Sequence, residues 1–158
     1  MAGLTQVEIE RYRWDTMKCG CGRSADHLRE LLERMAEGSS AAVRALDGHA
    51  FVQSNLMAPA PAVASVSMAI LSDGAGPRDT KDILWLLLSL ISGEEDGDSV
   101  ETSLYWNCIE KVRDGIWLIY RELVKSASPE CKGYAIDILE IVEGDPMRLS
   151  AYRGRDFS

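Results

Sequence analysis

The sequence predicts an all-α fold, an α-solenoid of antiparallel helix pairs, and three observations predict it. Apolar residues recur at helical spacing: Ile116, Ile119, Leu123 and Val124 form one stripe, and Ala135, Ile138, Leu139 and Val142 a second. The two stripes meet at Ser128-Pro129-Glu130. There a serine can cap orphan amides, a proline suits the first helical position and an acid complements the positive end of the helix dipole. Finally, two phenylalanines in 158 residues and few alternating Val-rich runs argue against an extensive sheet. A helical hairpin that cannot bury both faces alone must stack on neighbours, and such stacks usually serve binding.

In chain order, residues 4–18 predict a first helix with Val7, Ile9, Tyr12 and Trp14, broken by Cys19-Gly20-Cys21-Gly22. Ser24 opens a helix with Leu28, Leu31, Leu32 and Met35 on one face. After Gly38-Ser39-Ser40, another groups Val43, Leu46, Ala50 and Phe51 and runs toward Leu56 despite Gly48, ending at Pro59 and Pro61. Pro61 starts a helix with Val63, Val66, Ile70 and Leu71 inward, stopped by Asp73-Gly74-Ala75-Gly76-Pro77. The next, from about Arg78 to Ser92, is nearly all apolar in its second half and is expected to be central. A polar loop, Gly93 to Ser99, leads to a helix with Val100, Leu104, Cys108 and Val112, which Asp114-Gly115 kinks or breaks. Pairs are thus expected at about 24–56, 61–92 and 115–143, with 100–113 intervening. Residues 1–158 form one domain, with a tail at 146–158 that can fray.

The formal charge of −8 is concentrated in the middle: residues 37–143 hold eight Lys/Arg against seventeen Asp/Glu, while the flanks are close to neutral. An acidic surface disfavours direct nucleic-acid contact and anionic membranes and attracts a basic partner. The start, Met1 to Glu8, lacks the basic and apolar regions of a signal peptide. The apolar run Ile83 to Ile91 is far shorter than the ~20 residues that cross a bilayer. Four cysteines do not resemble a secreted disulfide framework, so a reducing cytoplasm is expected.

Cys19-x-Cys21 with His27 nearby is the one arrangement suggestive of a metal. A closed zinc site needs four ligands, and Cys108, Cys131 and His49 fall in separate helical patterns, so neither a metal nor any other cofactor is expected. Phosphate-loop, nucleophile-elbow and H-E-x-x-H motifs are absent, and neither histidine has an adjacent Ser or Cys nucleophile with an orienting carboxylate, which argues against an enzyme. His49 and Gln53, four apart, are expected on one helical face and count as binding candidates. Glu94, Glu95, Asp96 and Asp98 lack the ligand alternation of a calcium loop and read as a solvated loop or an electrostatic contact. Trp85 and the pair Tyr105-Trp106 lie off their apolar stripes and are interface candidates, whereas Trp14 and Trp117 are expected in the core.

Several segments carry a resemblance: Trp14-Asp15, Gly22 to Met35, Ala42 to Asp47, His49 with Val52 and Gln53, and Ala58-Pro59-Ala60-Pro61-Ala62-Val63. In this order they resemble HEAT-like repeat proteins, more narrowly short bacterial ones often encoded near polymorphic toxins. Ser128-Pro129-Glu130 stands where such repeats often carry Asp-Pro-Glu, although Cys131-Lys132 replaces the usual Val-Arg. The resemblance spans roughly residues 12–143, and related proteins are often longer. It implies a cytoplasmic immunity protein that binds a cognate toxin, expected to be basic, and blocks it stoichiometrically. The alternative is a HEAT-like adaptor or scaffold for a cellular protein.

Overall fold

The structure, a computed structural model, describes residues 3–94 and 103–154. Nine α-helices account for most of those residues. Helix α1, Leu4–Glu10, is capped from afar: the Asp73 carboxylate accepts from the Leu4 and Thr5 amides at 3.0 and 2.9 Å and from the Thr5 hydroxyl at 2.7 Å. The helix expected over 4–18 ends at Glu10, because Trp14 swings inward. Its indole Nε1–H donates to the Ile9 carbonyl at 2.7 Å, and the chain there forms a 3-10 turn, Trp14–Thr16.

A second 3-10 turn, Ala25–His27, leads into α2, Leu28–Ala36, which buries Leu28, Leu32 and Met35. Helix α3, Ser40–Ala45, is capped by Ser39, whose hydroxyl accepts from the Ala42 amide at 3.1 Å. The expected continuation to Leu56 does not form. Gly48 has φ 95° and Gln53 φ 57°, left-handed values that a right-handed helix excludes. Instead β1, Phe51–Val52, pairs antiparallel with β2, Asn55–Leu56, in a short hairpin.

Helices α4, Ala60–Asp73, and α5, Pro77–Ile91, share the centre. Helix α4 buries Val63, Ala64, Val66, Ile70 and Leu71, and packs against α1, α5 and α6, Leu104–Arg113. The Ser103 hydroxyl caps α6 by accepting from the Trp106 amide at 3.1 Å. Helix α5 buries Ile83, Leu84, Leu86, Leu87, Leu90 and Ile91 against α3, α4, α6 and α8. The closing hairpin forms as its sequence dictates: α7, Ile116–Lys125, packs on α8, Pro129–Val142, and the Ser128 hydroxyl accepts from the Cys131 amide at 3.3 Å. Pro146–Arg153 forms α9, capped by the Asp145 carboxylate.

Trp14 is core, but Trp117 is 57% exposed and its expected core role is corrected. On α7 the inner stripe is Ile116, Ile119, Tyr120 and Leu123, which turns position 117 outward. No helix among the described residues is long and apolar enough to cross a membrane.

Candidate metal centre

The glycines of Cys19-Gly20-Cys21-Gly22 let this segment fold into a tight loop between the two 3-10 turns. The Cys19 amide donates to the Arg23 carbonyl at 2.8 Å and the Gly22 amide to the Cys19 carbonyl at 3.0 Å, with Gly22 at φ 92°. The Ala25 amide closes the base of the loop on the Met17 carbonyl at 2.9 Å. His27 ends the second 3-10 turn and directly precedes α2, its side chain making no capping hydrogen bond to that helix.

Opposite this loop lies the turn that follows α3. The His49 amide donates to the Leu46 carbonyl at 3.0 Å and the Gly48 amide to the Phe51 carbonyl at 2.7 Å. The Gly20 amide then donates to the His49 carbonyl at 2.9 Å, joining loop and turn directly. Gly20 is required by that approach: a β-carbon there would lie 2.7 Å from Val52 Cγ2 and 2.8 Å from the His49 carbonyl oxygen.

This stitching brings Cys19, Cys21, His27 and His49 together, with one ligand atom from each inside a span of 4.8 Å. Cys19 Sγ lies 3.1 Å from His49 Nδ1 and 3.5 Å from His27 Nε2. Cys21 Sγ lies 3.6 Å from the same His27 Nε2, and the two ring nitrogens are 3.1 Å apart. Zinc bonds of about 2.3 Å to sulfur and about 2.0–2.1 Å to nitrogen give tetrahedral edges of about 3.3–3.8 Å. The four measured edges sit at or slightly below that range. The chemistry agrees, since two thiols and two imidazoles suit zinc better than the hard oxygen-seeking cations.

Electrostatics favour the ligand forms unevenly. Burial, and then the neighbouring His27 ring, lower the His49 pKa, which favours the neutral imidazole a metal needs. Burial raises the Cys19 thiol, whereas the Arg23 backbone amide, as leading cause, lowers that of the exposed Cys21. A bound cation would stabilise both thiolates.

Four potential ligands therefore meet here, where the sequence places only Cys19, Cys21 and His27 near one another. The helical pattern expected through His49 does not form; the residue sits in the turn after α3, with its ring beside Cys19. The expected shared helical face of His49 and Gln53 disappears for the same reason. The readable signal was Gly48-His49: a glycine able to turn the chain beside a potential ligand, after a Cys-Gly-Cys loop with its own histidine.

The partner-binding candidates separate into groups. Gln53 occupies the hairpin turn, Trp85 stacks under the Arg44 guanidinium at 3.9 Å and meets Phe51 edge-on at 6.4 Å, and the Glu94 carbonyl accepts from the Leu56 amide at 2.8 Å. These three border the hairpin that His49 leads into. Tyr105 and Trp106 are on α6, their rings 5.4 Å apart, with Trp106 40% exposed. Glu95, Asp96 and Asp98 lie outside the described residues. Comparison with family models, curated proteins and solved structures finds no match to this chain.

Proposed function

We propose that this chain is a zinc-binding helical domain in which Cys19, Cys21, His27 and His49 hold one ion. The observation that carries this reading is the convergence of four soft or borderline ligand atoms within 4.8 Å, from two segments separated in the sequence by α2 and α3. Four protein ligands fill a tetrahedron and leave no position for substrate, so the ion's role is structural. It crosslinks the 17–27 loop to the turn after α3 and reinforces the Gly20 to His49 hydrogen bond. Protein purified in the presence of zinc should retain one equivalent through dialysis. Cobalt substitution should give the visible absorption of a tetrahedral sulfur-nitrogen site, and His49→Ala should lose both properties. Retention of no metal by folded wild-type protein would reject the reading.

The domain's work is read as protein recognition. Three pairs, α2–α3, α4–α5 and α7–α8, are read as a short α-solenoid, a reading supported by the packing of α2 on α4, α3 on α5 and α5 on α8. Indoles at Trp106 and Trp117 that are 40% and 57% exposed suit interface anchors, and a charge of −8 suits a basic partner. The immunity reading supplies that partner as a basic toxin. Copurification with a toxin encoded beside the gene, and its inhibition at one-to-one stoichiometry, tests this. If the toxin stays fully active in excess protein, the adaptor reading replaces it.

A further inference from the structure

The two thiols of the metal centre differ sharply in access. Cys19 is 2% exposed, while Cys21 stands in solvent on the outer side of the same loop. Only Gly20 separates them, and their sulfur atoms lie within the 4.8 Å span of the cluster. The other two cysteines, Cys108 and Cys131, are buried in α6 and α8. An incoming oxidant therefore meets Cys21 first, and the thiol placed to resolve its product is Cys19.

We infer that the centre is also a thiol switch: a hydroperoxide converts Cys19 and Cys21 into a disulfide within the loop, and the zinc leaves. This inference rests on the zinc reading above. The Cys21 thiolate attacks the terminal peroxide oxygen, the O–O bond breaks, and with hydrogen peroxide the departing hydroxide takes a proton to become water. The Cys19 thiolate then attacks the sulfenic sulfur of Cys21, forming the S–S bond and releasing hydroxide, which is protonated to a second water. Two thiolates, one peroxide and two protons thus yield one disulfide and two waters. Sulfur supplies both electrons and zinc keeps its charge.

Once both sulfurs are paired, two imidazoles remain, too few to close a tetrahedral site, and the ion dissociates hydrated. The crosslink between the loop and the turn after α3 is lost with it. Near them remain the Gly20 to His49 hydrogen bond and the packing of Val52 on Gly20. The half-buried His49 and the buried Cys19 are then open to water, so oxidation loosens the hairpin side of the domain. A dithiol reductant with fresh zinc reverses the change, because no backbone bond has been altered.

The test uses the full chain carrying Cys108→Ala and Cys131→Ala, loaded with one zinc, together with wild-type protein. Hydrogen peroxide is added stepwise while a colorimetric chelator reports free zinc, and alkylation followed by peptide mass mapping locates the oxidised cysteines. The expected result is one zinc released per Cys19–Cys21 disulfide, with full reloading after dithiothreitol and zinc. The wild-type map gives the same answer should the double variant fold poorly. A chain that never takes up zinc overturns the metal reading and this inference together. Three other outcomes overturn the switch alone and leave the metal reading standing: zinc retained under peroxide, a sulfinic acid on Cys21 without the disulfide, or a disulfide between chains.

Discussion

Gly20→Ala isolates the contact that holds the two halves of the metal centre together. Gly20 does not adopt a positive φ, so alanine strains no backbone angle, and its effect comes from the added carbon alone. That carbon would sit 2.7 Å from Val52 Cγ2 and 2.8 Å from the His49 carbonyl oxygen. Ordinary contact begins at 3.4 Å, so the loop or the turn must withdraw from the carbonyl oxygen by the difference from 2.8 Å, about 0.6 Å. Zinc–ligand distances tolerate only about 0.2 Å. A carbonyl oxygen cannot rotate away as a long side chain could, so the withdrawal is passed on to His49 and Cys19. The expected cost is about 10–100-fold in zinc affinity, the range seen when groups that orient metal ligands are disturbed. Competition against a chromophoric chelator of known affinity measures it, with circular dichroism confirming that helix content is retained. A variant that folds and binds zinc within about twofold of wild type would refute the argument that Gly20 sets the spacing of the site.

Two further outcomes concern the C-terminal half. The Glu143 carboxylate accepts from Arg148 at 2.7 and 3.0 Å and from the Tyr120 hydroxyl at 2.5 Å, and its pKa is held at about 2, with the Arg148 hydrogen bonds the leading cause, against an ordinary 4.5. A depressed carboxylate stabilises the fold above its unfolded pKa and ceases to do so as pH falls through the folded one. Metal-free wild type should therefore lose stability between pH 4.5 and about 2 more steeply than Glu143→Gln, as read by urea unfolding; equal slopes would contradict this. Gly133 is exposed within α8 with open space where a β-carbon would go, so Gly133→Ala should raise stability by about 0.5–1 kcal/mol, seen as a higher Tm. A lowered Tm would show that the glycine serves a contact.

The sequence by itself determined the helical content, the stops at Gly74 and Gly115, and the Ser128-Pro129 joint of the closing hairpin. These are local matters: a cap, a proline at the first helical position and a stripe of apolar residues act within one or two turns of chain. Tertiary structure decided where local preference was weak or opposed. Trp14 ended the first helix because burying its indole outweighed extending a poorly patterned helix from Arg11 to Lys18. Asp73 became the cap of α1 from 69 residues away, which no local pattern announces. Residues 48–56 carried apolar spacing compatible with helix, yet the left-handed turns at Gly48 and Gln53 and the pairing of β1 with β2 made them a hairpin. The metal ligands illustrate the same division. Cys19, Cys21 and His27 were legible as a local cluster, whereas His49 joins them only because that hairpin forms and Gly20 admits its backbone to within a hydrogen bond. A fourth ligand reached across α2 and α3 is a property of packing, and spacing along the chain cannot display it.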